Sequence, residues 1–174
     1  MSRLAQFYIG TVIATGAACV LCSMAAWNWR DPVHFLFNLG LALLASGLKV
    51  TLPGVDGTMS VSYVFVLLSM IDFGFPKTMV VACLAAATQS LWHTKRKNPL
   101  HVAFNLASVA IAVTVGYVIY HLLADRLSML FSVAVSAIGY FLSNTISIAA
   151  VTACPARSAR PIRSMASGKT ASKR

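Results

Sequence analysis

Side chains that do chemistry are few in this chain of 174 residues, and the most suggestive come as a spaced pair that recurs. His34 and Asn38 stand four residues apart, and so do His101 and Asn105. On a helix that spacing puts an imidazole and an amide on one face, one turn from each other. Gln89 and Asn144 are further polar residues set in apolar surroundings. The six supply hydrogen-bond donors and acceptors but no activated nucleophile, so they are candidates for holding a ligand rather than for cutting a bond. A plainer reading stands beside that one: such groups also join helices to each other, at about 0.6 kcal/mol per bond.

Catalytic patterns are missing. The acids Asp31, Asp56, Asp72 and Asp125 fall in four separate loops, with no paired carboxylates for acid–base work. Neither GxSxG, HExxH nor GxGxxG occurs. Cys19 and Cys22 have CxxC spacing, yet no His or carboxylate lies within a turn, and they read as small packing residues. Ser167-Gly168-Lys169-Thr170 echoes the end of a phosphate-binding loop, but Arg163 stands where its first glycine belongs. No enzyme, cofactor or metal site is expected.

The elements that must carry these residues are set by where the charges are not. Only 10% of residues are charged and 58% are hydrophobic, whereas a water-soluble domain carries roughly 25% charged residues. Charge-free stretches cover 4–29, 32–48, 57–71, 78–94, 98–124 and 127–156. A helix needs roughly 17–25 apolar residues to cross about 30 Å of hydrocarbon. The pattern predicts an all-α, polytopic membrane bundle of six transmembrane helices, over about 4–28, 32–48, 58–75, 77–94, 99–123 and 127–153. The first charge-free run, 26 residues long, exceeds the apolar core of a signal peptide and reads as an uncleaved helix. Residues 1–154 form the membrane domain in this reading, and 155–174 a basic, disordered cytoplasmic tail.

Charge also orients the bundle. With six spans, Arg3, Lys49, Lys95, Arg96, Lys97 and six basic residues of the tail share one side, against Arg30, Lys77 and Arg126 on the other. Eleven against three predicts both termini in the cytoplasm, with the chain in an inner membrane. Trp27, Trp29, Trp92, Tyr117 and Tyr120 fall at helix ends, as interfacial anchors do. The net charge of +10 is largely a property of the tail, with no basic stripe to track phosphates, so nucleic acid is not an expected partner. The lipid bilayer is; the tail suits its anionic inner leaflet.

The recurring pair belongs to a longer self-match. PVHFLFNL at 32–39 and PLHVAFNL at 99–106 share five of eight residues at an offset of 67. The same offset lays helix one on helix four and helix three on helix six. Each unit holds three helices, an odd number, so the halves (about 4–75 and 77–153) enter the membrane in opposite senses. A 3+3 inverted repeat of this kind places a transporter-like site between halves near mid-membrane. Chance similarity at two proline-started helices is the alternative.

Between helices two and three lies LKVTLPGVDGTMS, residues 48–60. Pro53, Gly54 and Gly57 mark a tight turn, Lys49 and Asp56 stand on the cytoplasmic side, and Thr58 and Ser60 are positioned to cap helix three. The loop reads either as a compact connection or as a coupling element using Lys49, Pro53, Gly54, Gly57 and Thr58. Together with VSYVFVLLSMIDFGFPKTMVVACLAAATQSLW it resembles the membrane-embedded N-terminal region of bacterial diguanylate cyclase (GGDEF)-type signalling proteins. The resemblance spans about 34–150 and is best over 46–92. Its most specific elements are Leu48-Lys49-Val50, Pro53-Gly54, Gly57-Thr58-Met59-Ser60, Gln89 and Trp92. It implies a sensor of a small-molecule ligand that signals to a cytoplasmic output or coupling protein. The chain departs from that pattern at 154–174, where CPARSARPIRSMASGKTASKR stands in place of an output domain. A stand-alone sensor, a fragment and a truncated reading frame all fit that departure. The six-helix layout is similar, in architecture alone, to vitamin-uptake substrate-binding subunits of energy-coupling-factor transporters.

Overall fold

A computed structural model describes residues 3–28, 31–47, 49–51, 58–92 and 99–156. Six helices follow one another: α1 (Arg3–Ala25), α2 (Pro32–Ser46), α3 (Ser62–Asp72), α4 (Phe75–Trp92), α5 (Pro99–Ala124) and α6 (Met129–Ala156). Between α2 and α3, β1 (Lys49–Thr51) and β2 (Thr58–Ser60) pair antiparallel, with Lys49 opposite Ser60, Val50 opposite Met59 and Thr51 opposite Thr58.

That ladder corrects the expected third helix. Residues 58–60 extend as a strand, where the β-branched Val50, Thr51 and Thr58 are at ease. The helix therefore starts at Ser62 with Val61 at its N-cap position, in place of the expected Thr58 or Ser60. It ends at Asp72, because Gly74 takes a φ of +76° and Pro76 can enter only the first turn of the next helix. The fourth helix begins at Phe75, two residues ahead of the expected start.

Helix length separates two groups. Gln6–Ala25 of α1, all of α5, and Met129–Val151 of α6 are long and apolar enough to cross a membrane. The 15 residues of α2 and 11 of α3 rise only about 22 Å and about 16 Å. Phe7, Leu21, Leu36, Leu44, Leu122, Leu130 and Ile146 are exposed, giving the bundle an apolar exterior.

Packing centres on α5, which touches α1, α4 and α6, while α2 lies against α3 and α4. The buried face of α5 is made of small residues, including Ala107, Ser108, Ala110, Ala112 and Gly116, which let neighbouring backbones come close. The α1–α5 crossing is tightest at Gly16, where an added Cβ would lie 2.5 Å from the Ala107 Cα. Val66, Met79, Val81, Val113 and Tyr140 fill the core around that axis. Buried hydroxyls satisfy themselves locally: Ser69 donates to the Phe65 carbonyl (2.9 Å) and Thr78 to that of Gly74 (2.8 Å). Across helices, the Tyr63 hydroxyl donates to the Ala137 carbonyl (2.5 Å), and Ser136 to that of Gly116.

Candidate functional site

Four helix ends meet on the side of the bundle away from the β-hairpin: the end of α1, the start of α2, the end of α3 and the start of α4. They border a half-open cavity of about 840 Å³, within the range of small-molecule sites, about 300–1,000 Å³. Its polar lining comes from Asn28, Asp31, His34, Asn38, Asp72 and Lys77. Phe37, Phe73, Phe75 and Tyr117 supply aromatic walls. Among the described residues, two carboxylates stand against one ammonium in this lining.

Local sequence explains each placement. Pro32 starts α2 with its fixed φ, and Asp31 precedes it in the left-handed region, φ 49° and ψ 62°. The Asp31 carboxylate makes no cap bond to the helix it precedes. His34 is exposed in the first turn of α2, and Asn38 is one turn deeper, about 9 Å along the axis from Pro32. Asp72 closes α3. Lys77 sits in the first turn of α4 and is buried at 6% exposure. Its ammonium lies over the rings of Phe73 (5.5 Å) and Phe35 (5.8 Å), a cation–π arrangement. Phe35 meets Phe73 edge-on at 6.1 Å, and Phe75 meets Tyr117 at 5.0 Å.

Asn38 is the most constrained polar group. It is 5% exposed and donates from Nδ2 to the Ser69 hydroxyl at 2.5 Å, tying α2 to α3. Ser69 spends its own proton on Phe65. The Asn38 Oδ1 is buried without a hydrogen-bond partner among the described residues. Leaving a buried acceptor bare costs about 1–3 kcal/mol.

The six sequence candidates do not meet in one place. His34 and Asn38 line the cavity, whereas Asn105 donates to the Ser90 hydroxyl (2.9 Å) and Asn144 accepts from Ser108 (3.1 Å). His101 is exposed in the first turn of α5, and Gln89 is half-buried on α4. Of the coupling candidates, Lys49 and Thr58 lie on the two paired strands; Pro53, Gly54 and Gly57 fall outside the described residues, as do Trp29, Arg30 and the tail from 157. The reading of the acids as scattered is corrected here, since Asp31 and Asp72 line one cavity. Lys77 and Tyr117 were also assigned to topology and anchoring rather than to a site. The available signal was that Asp31, Asp72 and Lys77 all flank helix ends on the same predicted side. Trp27, expected as an anchor, packs edge-on against Phe35 at 5.9 Å. Cys19 is half-buried and Cys22 exposed, both as free thiols.

Among the described residues, no group of three or more His, Cys, Asp or Glu is arranged to hold a metal ion. Comparison of the chain with protein-family models, with curated proteins and with solved structures yields no match. What the site can do therefore rests on its own geometry: the exposed carboxylates of Asp31 and Asp72, the buried Asn38 and Lys77, and aromatic walls suit recognition of a small molecule.

Proposed function

We propose that the protein is a six-helix inner-membrane module that binds a small ligand in this cavity and signals its presence to a cytoplasmic partner. The observation that carries the reading is the cavity itself, about 840 Å³, lined by Asp31, His34, Asn38, Asp72 and Lys77 and by aromatic side chains. In this reading the cavity opens on the outer face, and the hairpin of β1 and β2 lies on the cytoplasmic side. Helices α2 and α3, joined by the Asn38–Ser69 bond, run from one to the other. A ligand that engages His34 and Asp72 shifts the two helices against each other and thereby moves the hairpin. The loop of Lys49, Pro53, Gly54, Gly57 and Thr58 is then the contact for an output protein. The resemblance of residues 46–92 to the membrane regions of diguanylate cyclase-type sensors supports that role.

A second reading, a small-solute transporter or its substrate-binding subunit, is favoured by the pattern of helix pairing. An inverted repeat pairs α2–α3 with α5–α6, α1–α5 with α4–α2, and α3–α4 with α6–α1, and all six contacts are present. The pattern is incomplete, because α4 packs on α5 whereas α1 and α2 barely meet.

Thermal unfolding of the purified full chain in detergent, with and without a small-molecule extract of cells, tests the first reading. Stabilisation is expected in the wild type and is expected to weaken in Ala26→Phe, which adds a phenyl ring to the cavity lining. A wild type indifferent to all fractions contradicts it. Uptake of the stabilising compound into reconstituted vesicles would replace the sensor by the transporter.

A further inference from the structure

Two helices of the bundle are too short for a bilayer. Helix α2 rises about 22 Å and α3 about 16 Å, against about 30 Å of hydrocarbon. The start of α2 and the end of α3 line one cavity, so the shortfall lies on the cytoplasmic side. Contacts at the start of α3 fix its depth. Tyr63, the second residue of α3, meets the Tyr140 ring at 4.9 Å and donates to the Ala137 carbonyl. Tyr140 is the midpoint of the Met129–Val151 span, about 16 Å from either end. Helix α3 thus starts near the middle of the membrane. The helix ends that flank the hairpin are buried: Ala45, Ser46 and Ser62 are at most 6% exposed. Strands β1 and β2 extend from those ends by about 10 Å, which sets them at hydrocarbon depth.

Lipid does not suit them there. A two-stranded ladder leaves the outer edge of each strand unpaired, and open sheet edges do not occur against hydrocarbon. Helices do not cover them either, since among the described residues the main neighbour of each strand is the other strand. Lys49, Thr51, Thr58 and Ser60 make four of the six strand residues polar, and a charged residue at membrane depth belongs in protein or in a water-filled cavity. We infer that β1 and β2 wall an aqueous vestibule, filled by water and open to small hydrophilic solutes, that enters from the cytoplasmic side and reaches the middle of the bilayer. This rests on the six-helix membrane reading. The outer cavity extends to Leu41, about 13 Å along α2 from Pro32. On α2, only the stretch holding the buried Ala42, Ala45 and Ser46 stands between that floor and the hairpin.

Thiol accessibility in inverted membrane vesicles, whose cytoplasmic face is outward, tests the inference. The full chain carries alanine at Cys19, Cys22, Cys83 and Cys154, and one new cysteine at a time: Thr51→Cys, Thr58→Cys, Lys97→Cys or Ile146→Cys. The probes are a small charged methanethiosulfonate and a bulky polyethylene-glycol maleimide. The small reagent should modify Thr51→Cys, Thr58→Cys and Lys97→Cys. The bulky one should modify Lys97→Cys, in the basic connection after α4, and fail at the two strand positions. Ile146→Cys, on the exposed face of α6, should resist both. Bulky reagent reacting at Thr51→Cys and Thr58→Cys as fast as at Lys97→Cys puts the hairpin outside the bilayer and overturns the vestibule. Failure of the small reagent at both strand positions, with Lys97→Cys modified, shows that no water reaches them and overturns it equally. Ready modification of Ile146→Cys overturns the membrane reading itself. The two strand positions are independent variants, and each is read only with melting close to that of the cysteine-free parent.

Discussion

Asp31 stands in the left-handed backbone region with a proline directly after it, and its side chain does not cap the helix that starts there. For a residue with a Cβ that conformation costs about 1–3 kcal/mol, and strain of this kind collects at ligand sites. Glycine adopts it freely. Asp31→Gly should therefore stabilise the free protein by about 1 kcal/mol while weakening ligand binding, since the carboxylate is gone. Asp31→Asn separates the two effects: unchanged melting without ligand, weaker stabilisation with it. A fall in the melting temperature of Asp31→Gly would show that the carboxylate holds the fold rather than the ligand. At this scale the sequence disclosed His34 and Asn38, because helical spacing is written in it directly. It did not disclose Asp72 and Lys77 as site residues. They are five positions apart across a helix break, and only the fold turns both towards the cavity that Asp31 also lines.

Among the elements, the α1–α5 crossing depends on Gly16 lying against the Ala107 backbone. Between apolar helices in lipid no hydrophobic gain drives association, so close packing of small residues must supply it. Gly16→Leu should push the helices apart and destabilise the bundle by about 2 kcal/mol or more, read as a lowered melting temperature in detergent. Gly10, on the same helix, has open space beside it, and Gly10→Leu should leave melting nearly unchanged. Equal effects from the two would refute the crossing as described. The starts of α2 and α5 were legible because Pro32 and Pro99 announce them. The strand at 58–60 was not: three residues are too few for a period to show, and what makes them a strand is the pairing with Lys49–Thr51. The same pairing shortens α3 at one end, as Gly74 does at the other.

For the whole molecule, the repeat in the sequence suggested a site shared equally by two halves. The fold treats matching residues differently. Asn38 bonds to Ser69 on the next helix, whereas Asn105 bonds to Ser90 on the preceding one. Equivalent side chains thus have different neighbours, and the cavity at the end of the first half is lined on one side by Tyr117 of the second. Which of two matching asparagines keeps an unpaired polar atom is decided by contacts that no spacing reveals. The central claim is accordingly one of location, a ligand held at one end of α2, α3 and α4 rather than midway between the halves. Hydrogen exchange of the full chain in detergent, with and without the stabilising small-molecule extract and mapped by mass spectrometry, reads that location directly. The account predicts protection on residues 28–41 and 68–77, together with Tyr117, and its loss when Asp72 is replaced by Asn. Protection clustered instead around Gln89, His101, Asn105 and Asn144 would contradict it.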